Sequence, residues 1–302
     1  MKRFLIWLLC PALRAICNYI DKYLLSKMFN EESNLPVLLI FSSAIWIIAL
    51  PFIWIFANNV FAISTMHKLV MIWWGIWYIL SLIPYLYAIN KEDASTVVPL
   101  FQLIAPISLI LGYFILGESL SIKQGWGFLI VLIASIVLSL DFSKKLKFKY
   151  KVFFLMLLSC FLTSLMYIAF KWVNVDTSFA TTMFWQYVWF AIMTVVLLLI
   201  PGYAKSFFRL FKKSAYKVVS LNLLNEWLNV GAIMIMNYIS LLTLVWVAQL
   251  INWFQPIFAF IYGIILTILF PHIIKEEYSK TIIIQKILCF ICMLYWLYLI
   301  SL

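Results

Sequence analysis

Acidic side chains are scarce in this chain of 302 residues. There are eleven, against 22 lysines and arginines, and only two histidines, His67 and His272, each expected in a loop. No His-x-x-x-His pair, aspartate-rich pair or glycine-rich phosphate loop occurs, so the common scaffolds of metal-assisted and nucleotide-driven chemistry are missing. No enzyme is expected. Charge of either sign is short, 11% of residues against roughly 25% in an ordinary soluble domain. So few polar groups cannot clothe a globular surface, and with 66% of residues hydrophobic the solvent for most of the outside must be lipid. Cys10, Cys17, Cys160, Cys289 and Cys292 all lie inside apolar runs. Cys289 and Cys292 have C-x-x-C spacing but no second pair, which argues for packing and against zinc. No metal and no cofactor are expected. The net charge of +11 does not form a nucleic-acid stripe, because the basic residues sit in short connections between apolar runs.

What is present is a succession of apolar stretches. A spanning helix needs about 20 mostly apolar residues. Such runs fall at approximately 4–24, 35–57, 69–89, 95–116, 122–140, 151–172, 179–201, 217–240, 244–270 and 282–301. Polar breaks separate them, among them Asn30 to Asn34, Asn90 to Asp93 and Gly202 to Lys213, and none is long enough for a folded extramembrane domain. The first run contains Arg14 and lacks a small-x-small cleavage site, so it reads as a retained span. The expected fold is an all-α integral membrane protein of about ten helices, multi-pass in the cell (inner) membrane.

A shift of about 150 residues aligns the chain with itself. Ala94–Pro106 falls on Leu244–Pro256, which sets Gln102 on Asn252 and Pro106 on Pro256, and Trp77 falls on Trp227. Neighbouring offsets set Tyr19 on Tyr167 and Lys22 on Lys171. Two halves, 1–143 and 144–302, would each hold five spans. An odd number forces the copies into opposite orientations, the inverted-repeat plan of secondary transporters.

The stretch from Pro106 through Leu116-Gly117-Glu118 to Gln124-Gly-Trp-Gly127 resembles the signature of the EamA-type drug/metabolite transporter superfamily. In that signature a proline-bearing fourth helix runs into Leu-Gly-Glu, and Gln and Gly open the fifth helix. The second copy departs from it, with Phe270-Pro-His-Ile-Ile-Lys-Glu-Glu277 in place of Leu-Gly-Glu and no glycine after Gln285. The resemblance implies a ten-helix carrier with two-fold pseudosymmetry and a cavity between its halves. It implies no substrate.

A mid-span charge costs roughly 2.5–3.5 kcal/mol on insertion scales, so each polar residue in these runs needs a reason. In the eighth run Asn222, Asn225, Glu226, Asn229 and Asn237 share about a third of the helix circumference at ~100° per residue. Such a stripe faces inward, either to line a site or to hold helices together. Glu226 suits a proton-coupling group or a counter-charge for a cation, or a structural glutamate paired with arginine. In the ninth run Gln249 and Asn252 precede Pro256, which leaves a backbone carbonyl free one turn back. Pro106 and Pro256 are expected to be matched kinks beside the site, with Gln102 near them. Arg14, Asn18 and Asp21 share a face of the first run, where Arg14 needs a carboxylate, a cavity or an anionic ligand. Ser164, Tyr167 and Lys171 do so in the sixth. Trp74, Trp77, Tyr78, Ser81 and Tyr85 form a stripe that either stacks a ligand or packs the core.

The reading is a monomeric secondary transporter working by alternating access, an exporter on family analogy. Its partners are the lipid bilayer, a small-molecule substrate such as an amino acid, nucleoside-like or cationic compound, and a coupling proton or ion. A lipid-linked-substrate flippase, a solute channel and, further off, a membrane-embedded enzyme are its rivals. Orientation follows from the basic residues. The connections after odd-numbered spans hold sixteen of them and the opposite side five, so the sixteen-residue side is assigned to the cytoplasm and both termini outside. A reporter active only in the cytoplasm, fused after Leu302, is expected to stay silent, and strong signal there reverses the assignment.

Overall fold

Uninterrupted apolar sequence in lipid has one low-energy form, because only a helix satisfies its backbone within its own segment. In the computed structural model, residues 2–25, 35–57, 60–61, 63–92, 97–119, 150–213 and 216–269 are described, with isolated positions at 125–126, 129, 133, 284, 287–288 and 291. No strand occurs among the described residues. The helices are α1 (Lys2–Tyr23), α2 (Leu35–Trp54), α3 (Thr65–Lys91), α4 (Ile104–Leu116), α5 (Tyr150–Asn174), α6 (Phe179–Leu198), α7 (Pro201–Lys213), α8 (Tyr216–Leu242), α9 (Val245–Leu250) and α10 (Gln255–Leu269). Seven of the described helical stretches are long and apolar enough to cross a membrane: α2, α3, Val98–Leu116, α5, α6, Val218–Leu242 and Val245–Leu269. Beside them α1, 22 residues long, carries Arg14, Asp21 and Lys22. The fifth and tenth expected spans lie outside the described residues apart from isolated positions. So do His272, Glu276, Glu277, Gln285, Cys289 and Cys292.

Three expectations are corrected. The stretches 95–116 and 244–270 are not continuous α-helices. A 3₁₀ turn, Val98–Leu103, precedes α4, and another, Ile251–Phe254, joins α9 to α10. Pro106 and Pro256 therefore stand in the first turn of α4 and α10, where a missing N–H leaves no helical bond unmade. Gly202 to Lys213 does separate two spans, but as the helix α7 and not as a loop. Its basic residues alternate with Tyr203, Phe207 and Phe208 at helical spacing, and a run of lysine and arginine reads as a loop only when that period is overlooked. His67, expected in a loop, lies in the first turn of α3, where its N–H donates to the capping hydroxyl of Ser64 (3.1 Å).

The helices pack in antiparallel neighbours, α3 along α5, α2 along α6 and α1 along α8. Gly75 lets α3 meet α6, since a Cβ there would run into the backbone carbonyl of Trp189. Trp46, Tyr187 and Phe190 fill the space between α2 and α6, with Trp46 ring centroids 4.3 and 5.1 Å from the other two.

One end of the bundle is closed by charge. Gly117 ends α4 with φ of 67°, a left-handed conformation that glycine adopts without strain, and turns Glu118 back toward the bundle. Both Glu118 carboxylate oxygens accept from the Val245 N–H (3.0 Å each), capping α9, whose own N-cap side chain makes no such bond. Lys171 Nζ donates to Glu118 Oε1 (2.8 Å) and to the Thr243 carbonyl (2.7 Å) at the end of α8. At the other end Lys22 Nζ donates to the Ile89 and Glu92 carbonyls at the end of α3 (3.0 and 2.8 Å). Lys171→Met strands a buried carboxylate, and an expected loss of about 3 kcal/mol should be largely recovered in Glu118→Gln/Lys171→Met. Thermal unfolding in detergent measures it, and equal loss in single and double variants rules out the coupling.

Candidate functional site

Three polar residues on α1, Arg14, Asn18 and Asp21, lie four and three apart and so stack along one face. That face and those of α2, α3, α5, α6 and α8, with Phe101, Ile104 and Gln255, line a cavity of about 120 Å³. A single water needs roughly 10–15 Å³ on this measure. Of the residues singled out above, Arg14, Asn18, Asp21, Tyr78, Ser81, Tyr85, Tyr167, Asn225, Glu226, Asn229 and Asn237 line it.

A directed hydrogen-bond chain runs along its wall. Gln255 Nε2 donates to Asn18 Oδ1 (2.6 Å), Asn18 Nδ2 to the Tyr85 hydroxyl (2.9 Å) and Tyr85 to Asp21 Oδ2 (2.7 Å). Asn225 Nδ2 donates to the other Asp21 oxygen (2.7 Å). Asp21 thus collects donors from α3 and α8, and the chain ties in α10. Ser42 of α2 donates to Glu226 Oε1 (2.5 Å), while Tyr78 donates to the Ser42 carbonyl (3.0 Å). Glu226 is 2% exposed, yet its Oε2 has no hydrogen-bond partner among the described residues. A buried polar atom left so costs about 1–3 kcal/mol and marks a place where a proton, water or ligand completes the bonding.

Arg14 donates to the Tyr167 hydroxyl through Nη2, and its Nε is unpartnered among the described residues. Of the readings open to Arg14, a link to a carboxylate such as Asp21 or Glu226 is not formed: among the described residues Arg14 makes no ion pair. Asp21 stands two turns, about 10 Å, further along the same helix, and neutral donors occupy both carboxyl groups. The cavity therefore holds two carboxyl groups and one guanidinium that are not paired with one another.

Gln102, Gln249, Asn252, Trp77, Pro106 and Pro256 do not line this cavity. Gln249 and Asn252 bond each other (Nδ2 to Oε1, 2.7 Å), with the Cys10 thiol 3.9 Å from Asn252 Oδ1. The 3₁₀ turns rotate the chain more per residue than the α-helix assumed in placing them. Nor are the carbonyls preceding the prolines open to a ligand. Trp253 Nε1 donates to that of Gln102 (3.3 Å), and the Gln255 N–H to that of Asn252. Trp77 stacks on Trp73 at 6.4 Å, whereas Tyr78 and Tyr85 face the cavity. Asn222 is fully buried outside the lining, with neither side-chain atom bonded among the described residues.

Sequence reasoning missed Ser42 and Gln186. Gln186 accepts from Asn237 Nδ2 (2.7 Å) at the cavity wall. Its signal was a lone amide in an apolar run, which no stripe announced. No group of three histidine, cysteine, aspartate or glutamate residues suited to a metal occurs among the described residues.

Neither a family model nor a curated protein matches the sequence. Solved structures do match in fold, 24 chains in all. One, described only as a crystal structure of a protein, aligns over 97% of this chain and 94% of its own at 14% identity and a TM-score of 0.57. At that identity the likeness concerns the fold alone.

Tyr85→Phe removes the acceptor of Asn18 and a donor to Asp21 while keeping the ring. An expected loss of about 1–3 kcal/mol in unfolding free energy follows, and an unchanged midpoint in detergent would contradict the relay.

Proposed function

We propose that the chain is a secondary transporter of a small organic compound bearing a protonated amine, of the EamA drug/metabolite type. Ten spans in two inverted five-helix halves, 1–143 and 144–302, alternate access to the central cavity. The transporter acts as a monomer in the cell membrane, exports, and draws on a proton or ion gradient. The observation that carries this reading is the polar cavity amid apolar helices. Two carboxyl groups outnumber one guanidinium there, and Glu226 Oε2 and Arg14 Nε retain unused bonding capacity. Polar groups within a span are costly, and a substrate path is the common reason to keep them.

The repeat draws support from packing that comes in mates. With α1 matched to α5, α2 to α6, α3 to α8 and α4 to α9 and α10, the contact of α3 with α5 has its counterpart in α8 with α1. That of α3 with α6 answers to α8 with α2, and that of α4 with α5 to α10 with α1, while α2 meets α6. Lys22 and Lys171, aligned in the sequence, each hold carbonyls at the end of a matched helix, α3 and α8. A two-fold relation between halves with odd span counts is the inverted plan. In this reading Glu226 holds the ammonium or the coupling proton and Arg14 an electron-rich group of the same substrate.

The test is uptake of labelled amines into proteoliposomes by the purified protein. Saturable, mutually competing uptake is expected. Glu226→Gln, close in shape, should keep the fold and lower transport about ten- to hundredfold, the worth of one charge-assisted contact, and flatten its pH profile. Wild-type rates and pH profile in the variant return Glu226 to a structural role. Failure of every amine to be transported or to stabilise the protein removes the reading.

A further inference from the structure

The helix α7 takes no part in the cavity, and its residues have two sharply different faces. At 100° per residue Tyr203 and Phe207 fall on one side and Lys205 and Arg209 on the other, and the sequence repeats the basic interval at Lys212. Tyr203 and Phe207 are partly buried against the core, with the Phe207 ring 5.3 Å from Phe41 of α2. Lys205 and Arg209 are exposed, and neither has an ion-pair or hydrogen-bond partner among the described residues. The sequence contains no carboxylate from Thr177 to Asn225, so this segment cannot neutralise its own cations. Leu199 and Tyr216, just before and just after α7, and Phe208 within it are 76%, 87% and 56% exposed.

We propose that α7 is a docking surface for an anionic lipid leaflet, with Lys205 and Arg209 on lipid phosphates and Phe208 at the acyl boundary. The helix joins two membrane-crossing helices, α6 and α8, in a connection of few residues, which holds it at the membrane edge. Its apolar side is held by the bundle, so what it turns to the bilayer is its basic side with the exposed Phe208 beside it, a pairing suited to the headgroup region. A zwitterionic headgroup offers these cations no net attraction, whereas an anionic one does so at roughly fivefold in affinity per basic side chain near the surface. The surface also belongs to the side carrying sixteen basic residues, in line with an anionic cytoplasmic leaflet.

Electron spin resonance on the full-length protein in phosphatidylcholine vesicles tests it, using trace spin-labelled phosphatidylglycerol or phosphatidylcholine to measure first-shell association. Wild type should prefer phosphatidylglycerol several-fold, and high salt should collapse the preference. Lys205→Gln/Arg209→Gln should bring the ratio close to one. Lys91→Gln, an exposed lysine at the end of α3, should leave it largely intact. Elution as a monodisperse peak with wild-type unfolding temperature in phosphatidylcholine shows that the double variant is folded. If it is not, Lys205→Arg/Arg209→Lys, which keeps the charge, must retain the preference. No preference in wild type, or an equal one in the folded double variant, overturns the proposal, the latter because an acidic protein partner or other basic segments then account for the cations.

Discussion

Hydrocarbon offers no hydrogen bonds, and the arrangement of these helices depends on that constraint. A polar side chain on a spanning helix must find its partner within the protein or face a space where water or a ligand supplies one. Asp21 shows the first solution, with Tyr85 and Asn225 on its two oxygens and Asn18 and Gln255 behind Tyr85. Four helices converge on that carboxyl group, and the cavity opens where they meet. Glu226 and Arg14 show the second, each satisfied at one atom and open at another. The same economy acts on the backbone, where Glu118 and Lys171 reach the terminal groups of α9 and α8.

How much of this was legible in the sequence depended on regularity. The stripe of α8 could be read because α8 runs 27 residues without interruption, so a fixed angle per residue holds from Asn225 to Asn237. The same arithmetic applied to Gln249 and Asn252 led away from the site, since a 3₁₀ turn changes the angle between them and Pro256. Pro106 and Pro256 did mark a departure from α-helix, but the departure precedes them. Arg14, Asn18 and Asp21 were found as a face, yet their partners were not, because pairing across helices depends on which helices are neighbours. Ser42 and Gln186 were invisible for a related reason: Ser42 has only Ser43 for polar company on α2 and Gln186 is the one amide of α6, and each meets its partner only when α2 and α6 close against α8.

A likeness in fold at 14% identity shows how such a chain folds and leaves its chemistry to its own side chains. For this protein those side chains are two carboxyl groups, one guanidinium and several amides around a small space. Their donors and acceptors come from helices on both sides of the proposed two-fold relation. A cavity built so changes its bonding whenever the halves shift, because no single helix holds enough of it to carry it along intact.

One turn of α2 joins the amphipathic helix α7 to the cavity. Phe41 meets Phe207 on the amphipathic helix, and the next residue, Ser42, holds Glu226. Consecutive residues on a helix point about 100° apart and rise only 1.5 Å, so this turn works as a crank with one arm on α7 and the other in the cavity. A tilt or rotation of it cannot move one arm and spare the other. With α7 docked on the leaflet as proposed, bilayer thickness and lateral pressure, which act on the depth of a surface helix, have a mechanical path to the carboxyl group at the protein's centre.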